Sequence, residues 1–196
     1  MSRGPPDLSR RCARCLFPPA ACLCPAIPRV ATRTEFLLLR HASELGRPTN
    51  SGRWAALALE RMEVLDYAVP GRTLDLEALA GPATAVLFPS PHPPRLETPP
   101  QRIIVLDATW AQARRMIQRI PALRSLPRLA LPAPRRAAAA PMRRPTIADG
   151  VSTLEAVAGA LELLGEHGAA RALDALHAHA LARGRLLRSG ARLAQG

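Results

Sequence analysis

Arg102-Ile103-Ile104-Val105-Leu106, followed at once by Asp107-Ala108-Thr109-Trp110, places a short unbroken apolar run directly before a polar turn and a new amphipathic segment. A run of that length without alternation predicts a strand covered on both faces, as in a parallel sheet. Trp110–Ile120 then predicts a helix, ended by Pro121. Working outward, Thr84–Phe88 (TAVLF) and Glu35–Leu39 (EFLLL) have the same character, and Val64–Val69 and Leu126–Leu131 are read as further strands. Ser51–Met62 is read as a helix with Trp54, Leu57 and Ala58 on one side, and Leu74–Leu79 as a short helix. Ser152-Thr153-Leu154-Glu155 has the spacing of a capping box. It opens a helix to about Leu164, with another from Ala169 to Leu187. Strands alternating with helices predict an α/β fold: a mainly parallel sheet with flanking helices. Pro89–Pro100, with six Pro in twelve residues, and Pro132–Asp149 are the two long irregular connections.

The chain has 196 residues, 48% of them hydrophobic, which suffices for one packed core and a small appended module. No apolar run approaches the roughly 20 residues of a spanning helix. The first ten residues hold no hydrophobic stretch of the signal-peptide kind, so a soluble, cytoplasmic protein without membrane partners is expected. Net charge is +12, and all 27 basic residues are Arg. A GC-rich codon bias explains Arg in place of Lys but only part of the excess. Between Gln101 and Arg144 stand ten Arg and a single acid, Asp107. That distribution predicts a phosphate-binding surface around one special carboxylate, hence a nucleic-acid partner. Three segments are expected: a Cys- and Pro-rich head (1–31), an α/β domain (32–188) and a basic tail (189–196).

All four cysteines lie in the head, as Cys12-x2-Cys15-x6-Cys22-x-Cys24. Thiolates at this spacing can wrap one tetrahedral Zn²⁺ in a compact knuckle, and four sulfurs leave no open position, so the metal is expected to be structural. An even count also allows two disulfides, which the reducing cytoplasm disfavours. Asp107 sits where ligands gather in parallel α/β sheets, at the carboxyl end of a strand, although it could simply cap the next helix. Gly150-Val151 before the capped helix would present free N–H groups to an anion, or do no more than start a helix. His41 and Glu44, followed by Thr49-Asn50-Ser51, form a further polar group after the first strand.

In this order, the Cys cluster, His41/Glu44 with Thr49-Asn50-Ser51, Leu87-Phe88-Pro89-Ser90, Asp107-Ala108-Thr109-Trp110 and Ser152-Thr153-Leu154-Glu155-Ala156 resemble the DTW-domain family, from Cys12 to about Leu164. The resemblance implies a relative of the knotted, SPOUT-like α/β methyltransferases, with a C-terminal trefoil knot. It also implies a tRNA-uridine aminocarboxypropyltransferase. Such an enzyme moves the 3-amino-3-carboxypropyl group of S-adenosylmethionine to N3 of a uridine and releases methylthioadenosine. On that reading Leu87, Pro89, Ser90, Asp107, Thr109, Trp110, Ser152, Thr153 and Glu155 bind the cofactor. Asp107 is the catalytic base or the anion that orients the donor, with neighbouring Arg expected to keep its pKa low. His41, Asn50, Arg114, Arg115, Arg143 and Arg144 would meet tRNA. The alternatives are an RNA methyltransferase of the same fold and a zinc-containing RNA-binding protein without catalysis.

Overall fold

The computed structural model describes residues 8–81, 83–90, 98–132 and 151–189. Five parallel strands form one sheet in the order β2-β1-β4-β3-β5, with β1 at Glu35–His41, β2 at Met62–Tyr67, β3 at Thr84–Leu87, β4 at Arg102–Asp107 and β5 at Arg128–Leu129. The Ile-rich run quoted first is thus the central strand. Its register sets Phe36 beside Ile103 and Arg40 beside Asp107 on one side, and Val86 beside Ile104 on the other.

Among the described residues the α-helices are α1 (Ser51–Ala58), α2 (Trp110–Arg119), α3 (Pro121–Ser125), α4 (Thr153–Leu163) and α5 (His167–Ser189). Because side chains alternate across a strand, β1 and β4 feed two cores. Phe36, Leu38, Ile103 and Val105 join Trp54, Leu154, Val157 and Leu173 under α1, α4 and α5. Leu37, Leu39 and Ile104 join Met116, Ile117 and Leu123 under α2 and α3. Each such side chain contributes about 1.5–3 kcal/mol on burial, so continuous apolar strands are what this layering selects. No described helix is long and apolar enough to cross a membrane.

Several boundaries differ from the sequence reading, each for a local reason. α1 stops at Ala58 because Leu59 is extended and bridges Val30 in parallel. Pro121 ends α2 as expected but also starts α3 from its first position, where a missing N–H costs nothing. The segment around Leu74–Leu79 closes to a single 3-10 turn, Glu77–Leu79, with Asp75 Oδ1 accepting from the N–H of Glu77 and Ala78. The strand expected over Leu126–Leu131 shortens to two residues. α5 begins two residues before Ala169, after a Gly165 with φ 75° that reverses the chain from α4.

The head does not stand apart from the sheet. Cys15, Phe17, Ala21 and Leu23 belong to the same core as Trp54, and the Phe17 and Trp54 ring centroids are 5.4 Å apart. Trp54 Nε1 donates to Cys15 O at 3.1 Å, and Arg183 Nη1 of α5 donates to Cys22 O at 2.7 Å. The chain path on which a C-terminal knot depends includes 133–150, and that segment and the tail from 190 lie outside the described residues.

Candidate functional site

Asp107 ends β4 and is 3% exposed. Its carboxylate does not cap α2; Thr109 does that, in a reciprocal box with Gln112. Instead Asp107 Oδ2 accepts from Asn50 Nδ2 at 2.6 Å and Oδ1 accepts from Thr153 Oγ1 at 2.8 Å. Asn50 is the N-cap of α1, its Oδ1 accepting from Arg53 N at 2.6 Å, and Thr153 is the first residue of α4. One buried carboxylate therefore ties the starts of two helices to the centre of the sheet. Gly52, the second residue of α1, leaves the space that the carboxylate fills.

Burial raises the Asp107 pKa above the ordinary carboxylate range, against the opposing pull of the Asn50 and Thr153 hydrogen bonds. The expectation that nearby Arg would hold it low is overturned: Arg40 acts in that direction, but more weakly than loss of solvent. Glu44, also buried at 3% exposure, accepts from Asn50 Nδ2 at 3.4 Å and pairs with Arg47 at 3.2 Å. Asn50 is itself 2% exposed with both ends of its amide engaged. Expected at an RNA surface, it belongs to the interior, because its amide bridges an acid and a helix start.

Beside this hub, at the carboxyl ends of β3, β4 and β5, lies a cavity of about 330 Å³. Leu87, Phe88, Pro89, Leu106 and Trp110 form one part of its wall, and Leu129, Leu131, Val151 and Ala156 another. Among the described residues Thr153 is its one side-chain hydroxyl. Phe88 and Trp110 stand 5.9 Å apart at an angle of 53°, and the Arg128 guanidinium lies 5.7 Å from the Phe88 ring. Of the residues expected to hold a cofactor, Leu87, Pro89, Trp110 and Thr153 line this cavity. Ser90 does not line it. Asp107, Thr109, Ser152 and Glu155 stand behind the wall, in the hub and the two caps. Leu129 and Ala156 were missed as lining residues, since plain apolar side chains carry no chemical signal in a sequence.

His41 closes β1 near the start of α2. Its Nδ1 accepts from Ser43 N at 3.1 Å and lies 3.3 Å from Gln112 Nε2, and burial lowers its pKa. Arg114 and Arg115 are exposed on α2, with Arg119 and Arg124 exposed further along α2 and on α3. Arg143 and Arg144 lie outside the described residues.

The four Sγ atoms of Cys12, Cys15, Cys22 and Cys24 lie within 4.8 Å of one another. Cys12 is 3.5 Å from Cys24 and Cys15 is 3.8 Å from Cys22, too far for disulfides. Zn–S bonds of about 2.3 Å in a tetrahedron give sulfur–sulfur edges of about 3.8 Å, so this donor set fits a closed zinc site. Burial pushes the Cys24 thiol up to about 12, while the backbone N–H groups of Cys15 and Arg14 hold Cys12 down to about 6. Four crowded thiols cannot ionise together without a cation between them.

Fold and site together define a three-layer parallel α/β protein with a ligand-sized cavity at the carboxyl edge of its sheet and a thiol knuckle docked on one face. The DTW domain matches residues 9–183, and the chain belongs to that family. It is 30% identical over 139 residues to tRNA-uridine aminocarboxypropyltransferase 2 of Drosophila melanogaster, covering 64% of this chain and 55% of that protein. It is 30% identical over 135 residues to tRNA-uridine aminocarboxypropyltransferase A of Arabidopsis thaliana, covering 55% of this chain and 50% of that protein. The chain spans about half the length of these curated relatives. No solved structure matches it significantly.

Proposed function

We propose that this protein transfers the 3-amino-3-carboxypropyl group of S-adenosylmethionine to N3 of a uridine in tRNA, in the cytoplasm. The observation that carries this reading is an apolar cavity of about 330 Å³ at the strand ends, backed by one buried carboxylate, within a DTW match that spans both. Two of the relatives it matches are named tRNA-uridine aminocarboxypropyltransferases. The apolar walls suit the adenine ring of the donor, and the Thr153 hydroxyl supplies a polar contact at the edge.

In the reaction a bond forms between uridine N3 and the γ-carbon of the methionine chain. The bond from that carbon to sulfur breaks, and its electron pair neutralises the sulfonium to give methylthioadenosine. The N3 proton must leave to a base or to solvent. Burial moves the Asp107 pKa in the direction a base needs, yet both its oxygens are engaged and its side chain stands behind the cavity wall. Asp107 is therefore read as an anchor: it holds Thr153 and the start of α1 around the donor, so that the methionine chain rather than the methyl group faces the acceptor. Arg114 and Arg115 would hold tRNA phosphates, with Arg143 and Arg144 assigned the same role from sequence. Cys12, Cys15, Cys22 and Cys24 would hold one structural Zn²⁺ in a head that acts as a brace.

The test is mass spectrometry of nucleosides from tRNA incubated with protein and S-adenosylmethionine. An aminocarboxypropyl adduct on uridine with methylthioadenosine as co-product is expected. A methylated base with S-adenosylhomocysteine would make the protein a methyltransferase. tRNA binding with neither product nor donor binding would make it a non-catalytic RNA-binding protein.

A further inference from the structure

α5 packs an apolar stripe, Leu173, Leu176 and Ala180 among it, against α4 and α1. One polar residue interrupts the stripe: His177, only 8% exposed. A leucine would fill such a place without loss of solvation, whereas a buried imidazole needs partners. His177 finds them on the first turn of α4. Its Nε2 lies 3.4 Å from Ser152 Oγ and its Nδ1 lies 3.7 Å from Glu155 Oε1. Burial keeps the ring below its ordinary pKa and so neutral. The neutral tautomer with its proton on Nδ1 suits both contacts, since Nε2 then accepts from the Ser152 hydroxyl and Nδ1–H points toward Glu155.

The helix does not need this residue in order to start. Ser152 Oγ already accepts from Glu155 N at 3.3 Å, and Glu155 Oε2 already accepts from Ser152 N at 2.8 Å, so the box is closed without His177. What the imidazole adds is a fixed direction for that box. Thr153 lies between the two residues it grips, donates to Asp107 Oδ1 at 2.8 Å and lines the cavity. The same turn is held from α1 by Ser51 Oγ, which accepts from Leu154 N at 3.4 Å. We propose that His177 is a positioning residue for the ligand cavity: from α5 it holds the Ser152–Glu155 cap and thereby sets where Thr153 presents its hydroxyl. The proposal rests on the functional reading above for the identity of the ligand, S-adenosylmethionine.

The test compares wild type, His177→Leu and His177→Gln as full chains, by calorimetric titration with S-adenosylmethionine and by thermal unfolding. His177→Leu is expected to unfold at or above the wild-type temperature, because an apolar side chain suits the stripe, while its dissociation constant rises about tenfold. His177→Gln returns an amide near the Nε2 position and is expected to recover most of that affinity. In turnover the loss in His177→Leu should appear in KM for the donor with kcat changed less than about twofold. Wild-type affinity in a folded His177→Leu overturns the proposal. If the Leu variant fails to fold, His177→Met takes its place, read against His177→Gln: wild-type donor affinity in both overturns the proposal, and a raised dissociation constant in the Met variant that Gln recovers supports it. Wild-type protein that binds no S-adenosylmethionine overturns the functional reading and this proposal with it, which separates the two failures.

Discussion

Gly52→Ala adds one methyl group at the most confined point of the site. A Cβ on Gly52 would lie 2.8 Å from Asp107 Cγ, 2.9 Å from Oδ1 and 3.0 Å from Oδ2, closer than side-chain carbons approach one another in folded proteins. Asp107 cannot swing aside, because Asn50 holds one oxygen at 2.6 Å and Thr153 the other at 2.8 Å. Overpacking of this kind costs about 1–3 kcal/mol. Gly52 is helical, so alanine also returns about 0.4–1 kcal/mol by restricting the unfolded chain. The net runs from near zero to a loss of about 2.6 kcal/mol, and its middle value of about 1.3 kcal/mol lowers Tm by about 3–5 °C for a chain of this size. A double-mutant cycle isolates the cause. In an Asp107→Ala background the clash is gone, and Gly52→Ala is expected to be neutral or stabilising. Thermal and urea unfolding of the four proteins measures the coupling. If Gly52→Ala has the same effect in both backgrounds, the methyl group does not meet the carboxylate and the hub geometry is wrong.

Asp107→Asn should preserve the fold: its oxygen can face Asn50 and its amide can donate to a Thr153 hydroxyl turned to accept. A raised carboxyl pKa means the folded state holds the proton more tightly, so this group's stabilising share is full below its unfolded pKa and is lost as pH rises through the folded one. The Asn variant should therefore show a flatter fall in stability across that window, together with turnover reduced about 10²-fold through loss of the charge; full turnover would show that the two hydrogen bonds suffice and that the charge plays no part. Elemental analysis should find one zinc per chain, and Cys24→Ser should lose it and lower the Tm of the whole chain, since Cys15 and Phe17 share a core with Trp54. Protein purified with neither zinc nor iron would end that assignment. For tRNA, about 4–6 phosphate contacts predict a slope of log affinity on log salt near −3 to −5, and Arg114→Ala with Arg115→Ala should flatten it. An unchanged slope would move the RNA surface elsewhere.

The strands and capped helices were legible because their signals are local. Continuous apolar runs mark strands covered on both faces, and Ser152–Glu155 forms the reciprocal cap its spacing implies. The direction of a polar side chain is not local. Nothing in Thr49-Asn50-Ser51 tells whether the amide faces solvent or a carboxylate 57 residues away; only the parallel register that sets β1 beside β4 brings the α1 cap to Asp107. The charge argument failed for the same reason. A count of Arg along the chain measures how many cations are near in sequence, while the Asp107 pKa follows how much water is lost at one point in space.

A hub of this kind explains why the informative residues are spread so widely in sequence. Asn50 contributes the start of α1, Asp107 the end of β4 and Thr153 the start of α4, and each completes a hydrogen bond that another begins. The network continues past them in both directions. Trp54, one turn after Asn50 on α1, donates to Cys15 O in the thiol knuckle, and the Ser152–Glu155 cap around Thr153 meets His177 on α5. α5 then returns to the knuckle through Arg183 and Cys22. The path is closed: knuckle, α1, sheet, α4, α5 and knuckle again. A metal bound by the four thiols would fix both ends of that loop at once. Its loss would loosen α1 and α5 together, so that the cavity between their partners would change shape even though no cysteine touches it.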